Sequence, residues 1–328
     1  MGKPLVSVII NNYNYADFLS DAIESVLGQS YQNVEAIVVD DGSSDQSRQV
    51  IDRYLSNGRV RAIFKENGGQ ASAINAGIAA ATGDIICLLD SDDWFAPEKV
   101  EQVVNDLLAC PEAGWHVHPL VWKASRNAHS ALCVVPVYEE TRCLDLREKF
   151  AQGRSKVHFS ATSGLCFRRD LLQSIAPIPE SLRITADNYL KFAAAVKSPV
   201  FLQKKPLAFQ RIHGSNAYTG KRDKGGKDVE IHIAIGRAML ERFPEARSFV
   251  FKLLTRQAAL ALHYRRMDLA VNALAVCCAN RPTLLPLALG RTFLVFVKIA
   301  IERTVTTSKV NCPPGWGLTD VPEEGEST

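Results

Sequence analysis

Asp90, Asp92 and Asp93 crowd three carboxylates into four residues, directly after the apolar run Ile85–Leu89. That run is too short for a helix of ordinary length and reads as a buried strand. Pro97 then suits the first turn of a following helix. Carboxylates at the carboxyl end of a strand in an open α/β sheet lie where such sheets bind ligands. Asp90 and Asp92 are two residues apart and would share a face of a regular strand. Oxygen ligands of this hardness suit Mg²⁺ or Mn²⁺ held against a diphosphate. A solvated acidic turn capping the next helix would carry the same short motif, so the surrounding elements must decide.

Those elements alternate. Leu5–Ile10 predicts a strand entering the polar pair Asn11-Asn12, and Phe18, Leu19, Ala22, Ile23, Val26 and Leu27 follow helical spacing. Val34–Val39 is a second strand that stops at Asp40-Asp41-Gly42-Ser43-Ser44-Asp45, where Asp45 suits a helix cap. Val60–Phe64 is a third strand, followed by the turn Asn67-Gly68-Gly69 and a helix stripe at Ala71, Ile74, Ile78 and Ala81. Strands and helices alternating four times imply a mostly parallel sheet with helices on its faces, an α/β architecture. Val100, Val103, Val104, Leu107 and Leu108 mark a further helix, and Trp115–Trp122 predicts a further strand.

A chain of 328 residues with 47% apolar and 22% charged residues is ordinary globular material, and a net charge of +3 gives no footprint for nucleic acid. The N-terminus shows no signal-peptide pattern. Eight cysteines without a C-x-x-C pair argue against a zinc knuckle or a thioredoxin-type site and predict reduced, packed thiols.

Each polar cluster follows a strand, and together they become specific. VSVIINNYN (Val6 to Asn14), VVDDGSSD (Val38 to Asp45), ENGGQASAINAGIAAATGDII (Glu66 to Ile86) and LLDSDD (Leu88 to Asp93) resemble family 2 glycosyltransferases. The resemblance is close over roughly the first hundred residues, looser to about Ile212, and slight beyond. It implies a GT-A-type fold, a mostly parallel sheet flanked by helices, and inverting transfer from a nucleotide-diphosphate sugar, UDP- or dTDP-linked, with Mn²⁺ or Mg²⁺. It implies that Tyr13 stacks on the base and that Asn11 stands beside it, where many members carry proline or threonine. Asp41 would read the base edge, with Asp40 orienting the loop. Asn67 and Gly69 would pass near ribose and phosphates, Asp90 would face ribose and sugar, and Asp92 would ligate the metal. Asp93 fits a helix cap or a supporting role.

The middle of the chain would supply the acceptor side, a glycan or a lipid-linked molecule. Thr162–Arg168 predicts a strand after a small-residue loop. Asp187 begins the helical pattern of ITADNYLKFAAAV (Ile184 to Val196), where the family places its catalytic base, often within an acidic pair. Here Asp187 stands without a neighbouring acid, and a carboxylate serving the helix dipole is the plain alternative. FQRIHGSNAYTG (Phe209 to Gly220) resembles the segment in which Arg211 would face phosphate and His213 would complete the metal shell. Gly214–Lys221 fails as a P-loop, since five residues separate the glycines and Arg222 replaces the metal-binding hydroxyl. Lys221–Lys227 reads as a mobile linker or as a lid.

The resulting division is a catalytic domain at 1–220 (nucleotide half 1–95, acceptor half 96–220), a helical extension at 228–305 and a disordered tail at 312–328. Leu284–Ile301 is apolar apart from Arg291, Thr292 and Lys298. Its two charges make it a poor spanning helix; it either packs on its neighbours or lies in a membrane interface. The setting implied is the cytoplasm, or the periphery of the membrane's inner face, within synthesis of a cell-envelope polysaccharide or glycoconjugate. Two rival readings remain. A sugar nucleotidyltransferase would want a glycine- and basic-rich N-terminal loop, which Val6–Asn14 lacks. A non-catalytic nucleotide-sugar binder is favoured by the missing acid beside Asp187.

Overall fold

The structure, a computed structural model, describes residues 2–124, 133–154, 157–216, 226–279 and 281–305. Its strands are β1 (Val6–Asn12), β2 (Val34–Asp40), β3 (Val60–Phe64), β4 (Ile85–Asp90), β5 (Trp94–Phe95), β6 (Trp115–Val117), β7 (Leu120–Lys123), β8 (Cys133–Val135), β9 (Arg142–Leu144), β10 (Leu165–Arg168), β11 (Val200–Leu202) and β12 (Ala208–Arg211). Its helices are α1 (Ala16–Leu27), α2 (Ser47–Asp52), α3 (Gln70–Ala80), α4 (Lys99–Ala109), α5 (Arg147–Ala151), α6 (Arg169–Ile175), α7 (Asp187–Lys197), α8 (Lys227–Arg242), α9 (Arg247–His263), α10 (Met267–Cys278) and α11 (Leu285–Val305).

Among the described residues the larger sheet runs β3-β2-β1-β4-β10-β6-β11-β9, and a smaller one runs β5-β12-β7-β8. β3, β2, β1 and β4 pair in parallel, as the alternating pattern predicts, and β10 then joins β4 antiparallel. The period of two along β1 sorts its side chains to opposite faces. Val6, Val8 and Ile10 pack with Leu19, Ile23 and Val26 of α1, while Ile9 packs with Ile74 and Ile78 of α3. Both faces are therefore dry, and the polar residues are left to the strand ends. Because α3 crosses Ile9 at Gly77, a Cβ on Gly77 would lie 2.4 Å from an Ile9 methyl, so only glycine admits this approach.

The sequence expectation differs from the structure in three places. Trp115–Trp122 is not one strand: Val117 ends β6 in the large sheet, and β7 restarts at Leu120 in the small one. Pro119, which has no N–H to give a ladder, lies between them. Thr162–Gly164 forms a 3₁₀ turn ahead of β10 rather than part of the strand. Cys110 and Cys143, expected as packed thiols, form a disulfide that ties the end of α4 to β9, with Cα atoms 6.6 Å apart.

Buried residues of α8, α9 and α10, among them Val229, Ile235, Met239, Leu254, Ala258 and Ala273, belong to the same hydrophobic cluster as Tyr189, Leu190 and Ala194 of α7. The helical segment thus shares a core with the helix that begins at Asp187. α11 differs. Pro282–Ile299 is long and apolar enough to cross a membrane by length and composition, and only 11% of it is buried. The two charges that argued against a span from sequence do not remove it from that class. The expected mobile segment falls largely in 217–225, and the expected tail at 312–328; both lie outside the described residues.

Candidate active site

The ends of β1, β2 and β4 lie side by side, with Asn11 opposite Asp90 and Asn12 opposite Asp40 in register. Parallel pairing therefore brings Asn11 and Asp90, 79 positions apart, to one edge of the sheet. Asp40 is buried and accepts from Asn12 Nδ2 (2.8 Å) and Ser43 Oγ (2.5 Å), so it holds the loop in shape. Asp45 accepts from the Ala16 N–H at 2.9 Å at the start of α1. Tyr13 is half exposed at the mouth of this edge.

Asp41 is buried and heavily engaged. Oδ1 accepts from Lys65 Nζ (2.8 Å) and the Gly68 N–H (2.9 Å), and Oδ2 from the Gly69 N–H (2.7 Å). The residue expected to read a base edge thus also fixes the loop beside it, leaving Oδ2 room for one more donor. Asn67 donates to the Asp41 carbonyl at 2.9 Å and accepts from Arg183. Gly69 sits at φ +88°, and a Cβ there would fall 2.7 Å from Arg183 Cα. The strained φ and this close approach both demand glycine.

Asp90 ends β4. Its Oδ1 accepts from Asn11 Nδ2 (2.9 Å) and Gln70 Nε2 (3.2 Å). Burial, then the nearby Asp92 charge, and further Asp187, push its carboxyl up to about 7. Both acids thus act on Asp90, Asp92 from the same turn and Asp187 from the start of α7. Asp92 is buried, and its Oδ2 lies 3.1 Å from both His213 Nε2 and Asn216 Nδ2. Asp93 is buried deeper, binding Ser163 Oγ at 2.6 Å and the Arg211 N–H at 2.9 Å. Burial and its two acidic neighbours hold its carboxyl well above the usual range. Lys99, wholly buried, donates to the Ser163 carbonyl at 2.8 Å and braces this turn from behind. Asp93 therefore supports the acidic turn and caps no helix.

Asp187 opens α7 and is buried, with Lys191 Nζ on its Oδ2 at 2.8 Å. Gln70 bridges from Asp90 to this helix, accepting the Ala186 N–H at 3.0 Å. Arg211 departs from its expected place. Its guanidinium lies between the Phe18 and Trp94 rings, 4.8 Å from each centroid. It pairs with Asp21 at 2.6 Å and donates to the Asp92 carbonyl at 3.0 Å. An arginine so engaged holds the acidic turn in place. Asn11, expected beside the base, donates to Asp90 across the strand pair.

The structure thus gathers Asn11, Asp41, Asn67, Gly69, Asp90, Asp92, Asp187 and His213 at one sheet edge, with Tyr13 at its mouth. Sequence reading missed Lys65, Gln70, Ser163, Arg183, Lys191 and Asn216. Two of them carried a local signal: Asn216 stands three residues after His213 in a Gly-Ser turn, and Lys191 stands four residues after Asp187 on one helix.

The donors closest to a cation site are the Asp92 carboxylate, an oxygen donor of the kind that suits Mn²⁺ or Mg²⁺, and the His213 ring nitrogen 3.1 Å from it. Asn11 Oδ1, Ser91 Oγ and His213 Nδ1 are buried with no hydrogen-bond partner among the described residues, which is costly unless a ligand completes them.

Asp90 makes a pH-dependent prediction. Its carboxyl holds a proton more tightly folded, at about 7, than at its ordinary 3.8, so folding takes up a proton between those values and stability falls as pH rises through them. Asp90→Asn keeps an oxygen for Asn11 and Gln70 and removes the charge. The variant is expected to melt higher than the parent at about pH 8, with the two converging toward about pH 4. Parallel melting curves across that range would refute this account of the site's charge.

The family model for "Glycosyl transferase family 2" matches residues 7–174. An uncharacterized glycosyltransferase of Nostoc sp. is 37% identical over 215 residues, which are 64% of this chain and 66% of that protein; the chain thus spans just under two thirds of this relative's length. Staphylococcus aureus TarS 1–349, solved in complex with UDP, shares the fold with a TM-score of 0.65 at 17% identity, covering 92% of each chain. The mannosyltransferase PcManGT of Pyrobaculum calidifontis, solved with GDP-Man and Mn²⁺, overlays with a TM-score of 0.50 at 17% identity, covering 93% of this chain and 84% of that one. With the model matching more than half of the chain, and its motifs set at the ends of β1, β2 and β4, this protein belongs to glycosyl transferase family 2.

Proposed function

We propose that this chain is a metal-dependent, inverting glycosyltransferase that moves a sugar from a nucleotide-diphosphate donor, UDP- or dTDP-linked, to an acceptor hydroxyl. The observation that carries the reading is the meeting of the acidic turn and the start of α7 at one edge of the sheet: Gln70 links Asp90 to the Ala186 N–H beside Asp187, and His213 lies on Asp92. Asp92 raises the cost of a charge on Asp90, and that cost is offset when a cation enters beside them. The neighbours solved with UDP and with GDP-Man and Mn²⁺ support a donor of this class.

In this reading Tyr13 lies against the base. Asp41 accepts a base N–H through its remaining Oδ2 lone pair, and the Asn67–Gly69 turn passes along the ribose and phosphates. Asp90 orients ribose and sugar, while Asp92 and His213 would hold the cation, which when bound would offset charge on the departing diphosphate. Asp187 takes the proton of the acceptor hydroxyl as that oxygen bonds to the anomeric carbon. The bond from that carbon to the diphosphate oxygen breaks, and the nucleoside diphosphate leaves with the electron pair. Lys191 keeps the Asp187 carboxylate oriented, and Ser163, Asp93, Arg211 and Lys99 hold the acidic turn rigid. The acceptor is a glycan or a lipid-linked molecule, and a cytoplasmic setting suits a nucleotide-sugar donor.

The test is release of nucleoside diphosphate from a panel of UDP-, dTDP- and GDP-sugars, with Mn²⁺ and with chelator. Mn²⁺-dependent release from a uracil- or thymine-linked donor is expected. Binding without turnover of any donor would favour a nucleotide-sugar-binding protein, and release of pyrophosphate from nucleoside triphosphate plus sugar phosphate would favour a nucleotidyltransferase.

A further inference from the structure

α11 leaves most of its surface uncovered. Ala288 and Thr292 are buried against α9, where Thr292 Oγ1 meets the Thr255 carbonyl (3.4 Å) and Arg291 Nε meets Thr255 Oγ1 (3.2 Å). Leu285, Leu287, Leu289, Phe293, Leu294 and Val297 are exposed, with Leu294 at 70%. At about 100° per residue these six cover roughly 200° of the helix circumference, opposite the strip that touches α9. A single partner helix needs a narrower stripe than this. Such exposed apolar area on a folded protein marks an interaction site.

The charges along the exposed stretch of this helix, and at its approach, are basic, and Glu302 comes only in its last turn. Between 281 and 301 every charged residue is basic: Arg281, Arg291 and Lys298. On the same wheel Arg291 and Lys298 fall at the border between the apolar arc and the packed strip, where a long basic side chain reaches the headgroups while its stem stays in apolar surroundings. An open groove of about 670 Å³ lies between α9 and α11, lined by Phe251, Pro286, Leu287, Phe293 and Leu294 with Lys252 and Arg291. An apolar floor with cationic edges matches an acyl chain beneath an anionic headgroup.

We propose that α11 is a docking face for an anionic lipid bilayer and lies in the plane of the interface. Length does not separate this from a span, since 21 residues make about 31 Å, close to the hydrocarbon thickness. Packing does separate them. α11 is tied along its middle to α9, and a spanning α11 would drag Lys252 and Arg256 of α9 into hydrocarbon. Lying flat, the helix buries the apolar arc in lipid and keeps α9 on the aqueous side.

The test uses the full chain and does not depend on the proposed catalysis. Wild type is expected to sediment with phosphatidylglycerol–phosphatidylcholine vesicles, less so as salt rises, and weakly with phosphatidylcholine alone. Leu287→Glu with Phe293→Glu should stay in the supernatant with an unchanged melting temperature, because both positions are exposed. Arg281→Gln with Lys298→Gln should lower the sedimented fraction and flatten its salt dependence. The proposal is overturned if wild type stays in solution with both vesicle types, or if the double glutamate variant sediments like wild type. Equal binding to the two vesicle types overturns the anionic part. A wild-type dimer that the glutamates convert to monomer, with vesicle sedimentation unaltered, would assign the face to a second copy of the chain.

Discussion

Asp187→Asn is expected to bind nucleotide and Mn²⁺ as the parent does and to transfer sugar roughly 10²–10⁴-fold more slowly, the usual worth of a general base. Asparagine matches the carboxylate in shape, keeps an oxygen for Lys191 Nζ, and can still begin α7. It cannot take up a proton. Nucleotide affinity by calorimetry, a melting curve and the turnover rate separate the roles. If the variant loses its fold or its nucleotide affinity along with its rate, Asp187 serves the helix start. If turnover is unchanged, another group is the base.

Asp92→Ala is expected to abolish the Mn²⁺ dependence of UDP binding. Losing a direct ligand should exceed the roughly 10–100-fold typical of removing an outer-shell partner. His213 and Asn216, both 3.1 Å from Asp92 Oδ2, would be left facing each other across a gap. Without Asp92 the Asp90 carboxyl also loses a repelling neighbour, so its pKa should fall from about 7. UDP titrations with Mn²⁺ and with chelator measure the first effect. Wild-type affinity with intact Mn²⁺ dependence would move the metal elsewhere.

The parallel half of the sheet and the loops that carry Asp41, Asn67 and Asp90 were legible because each motif follows its own strand, and strand ends are where such sheets gather ligands. Arg211 was not. Its place between Phe18 and Trp94, paired with Asp21, depends on the end of β12 meeting α1 across 190 residues of chain, with β5 alongside. Gln70 read as an ordinary helix residue, since its partners at Ala186 and Asp90 are fixed only by packing, whereas Lys191 stands one helical turn from Asp187 and its pairing was legible from that spacing. The Trp115–Trp122 run looked continuous because apolar content does not reveal which sheet a strand joins. Cys110 and Cys143 carried no spacing signal, being brought together by α4 and β9. The exposure of α11 was open from sequence, because the same apolar pattern serves a packed helix and a lipid-facing one.

The start of α3 is closed by the segment that leads into α7. The Gln70 and Ala71 N–H groups donate to the Arg183 and Leu182 carbonyls, at 2.9 and 3.3 Å, Arg183 reaches back to Asn67, and Gly69 admits Arg183 at contact distance. The two halves of the catalytic cleft are therefore not interchangeable modules. Grafting residues 181–186 from a relative to alter the acceptor would also strip the cap from the helix beside the nucleotide loop. Substitutions in 181–186 that keep α3 intact are therefore those that leave the Arg183 and Leu182 carbonyls where the Gln70 and Ala71 N–H groups need them.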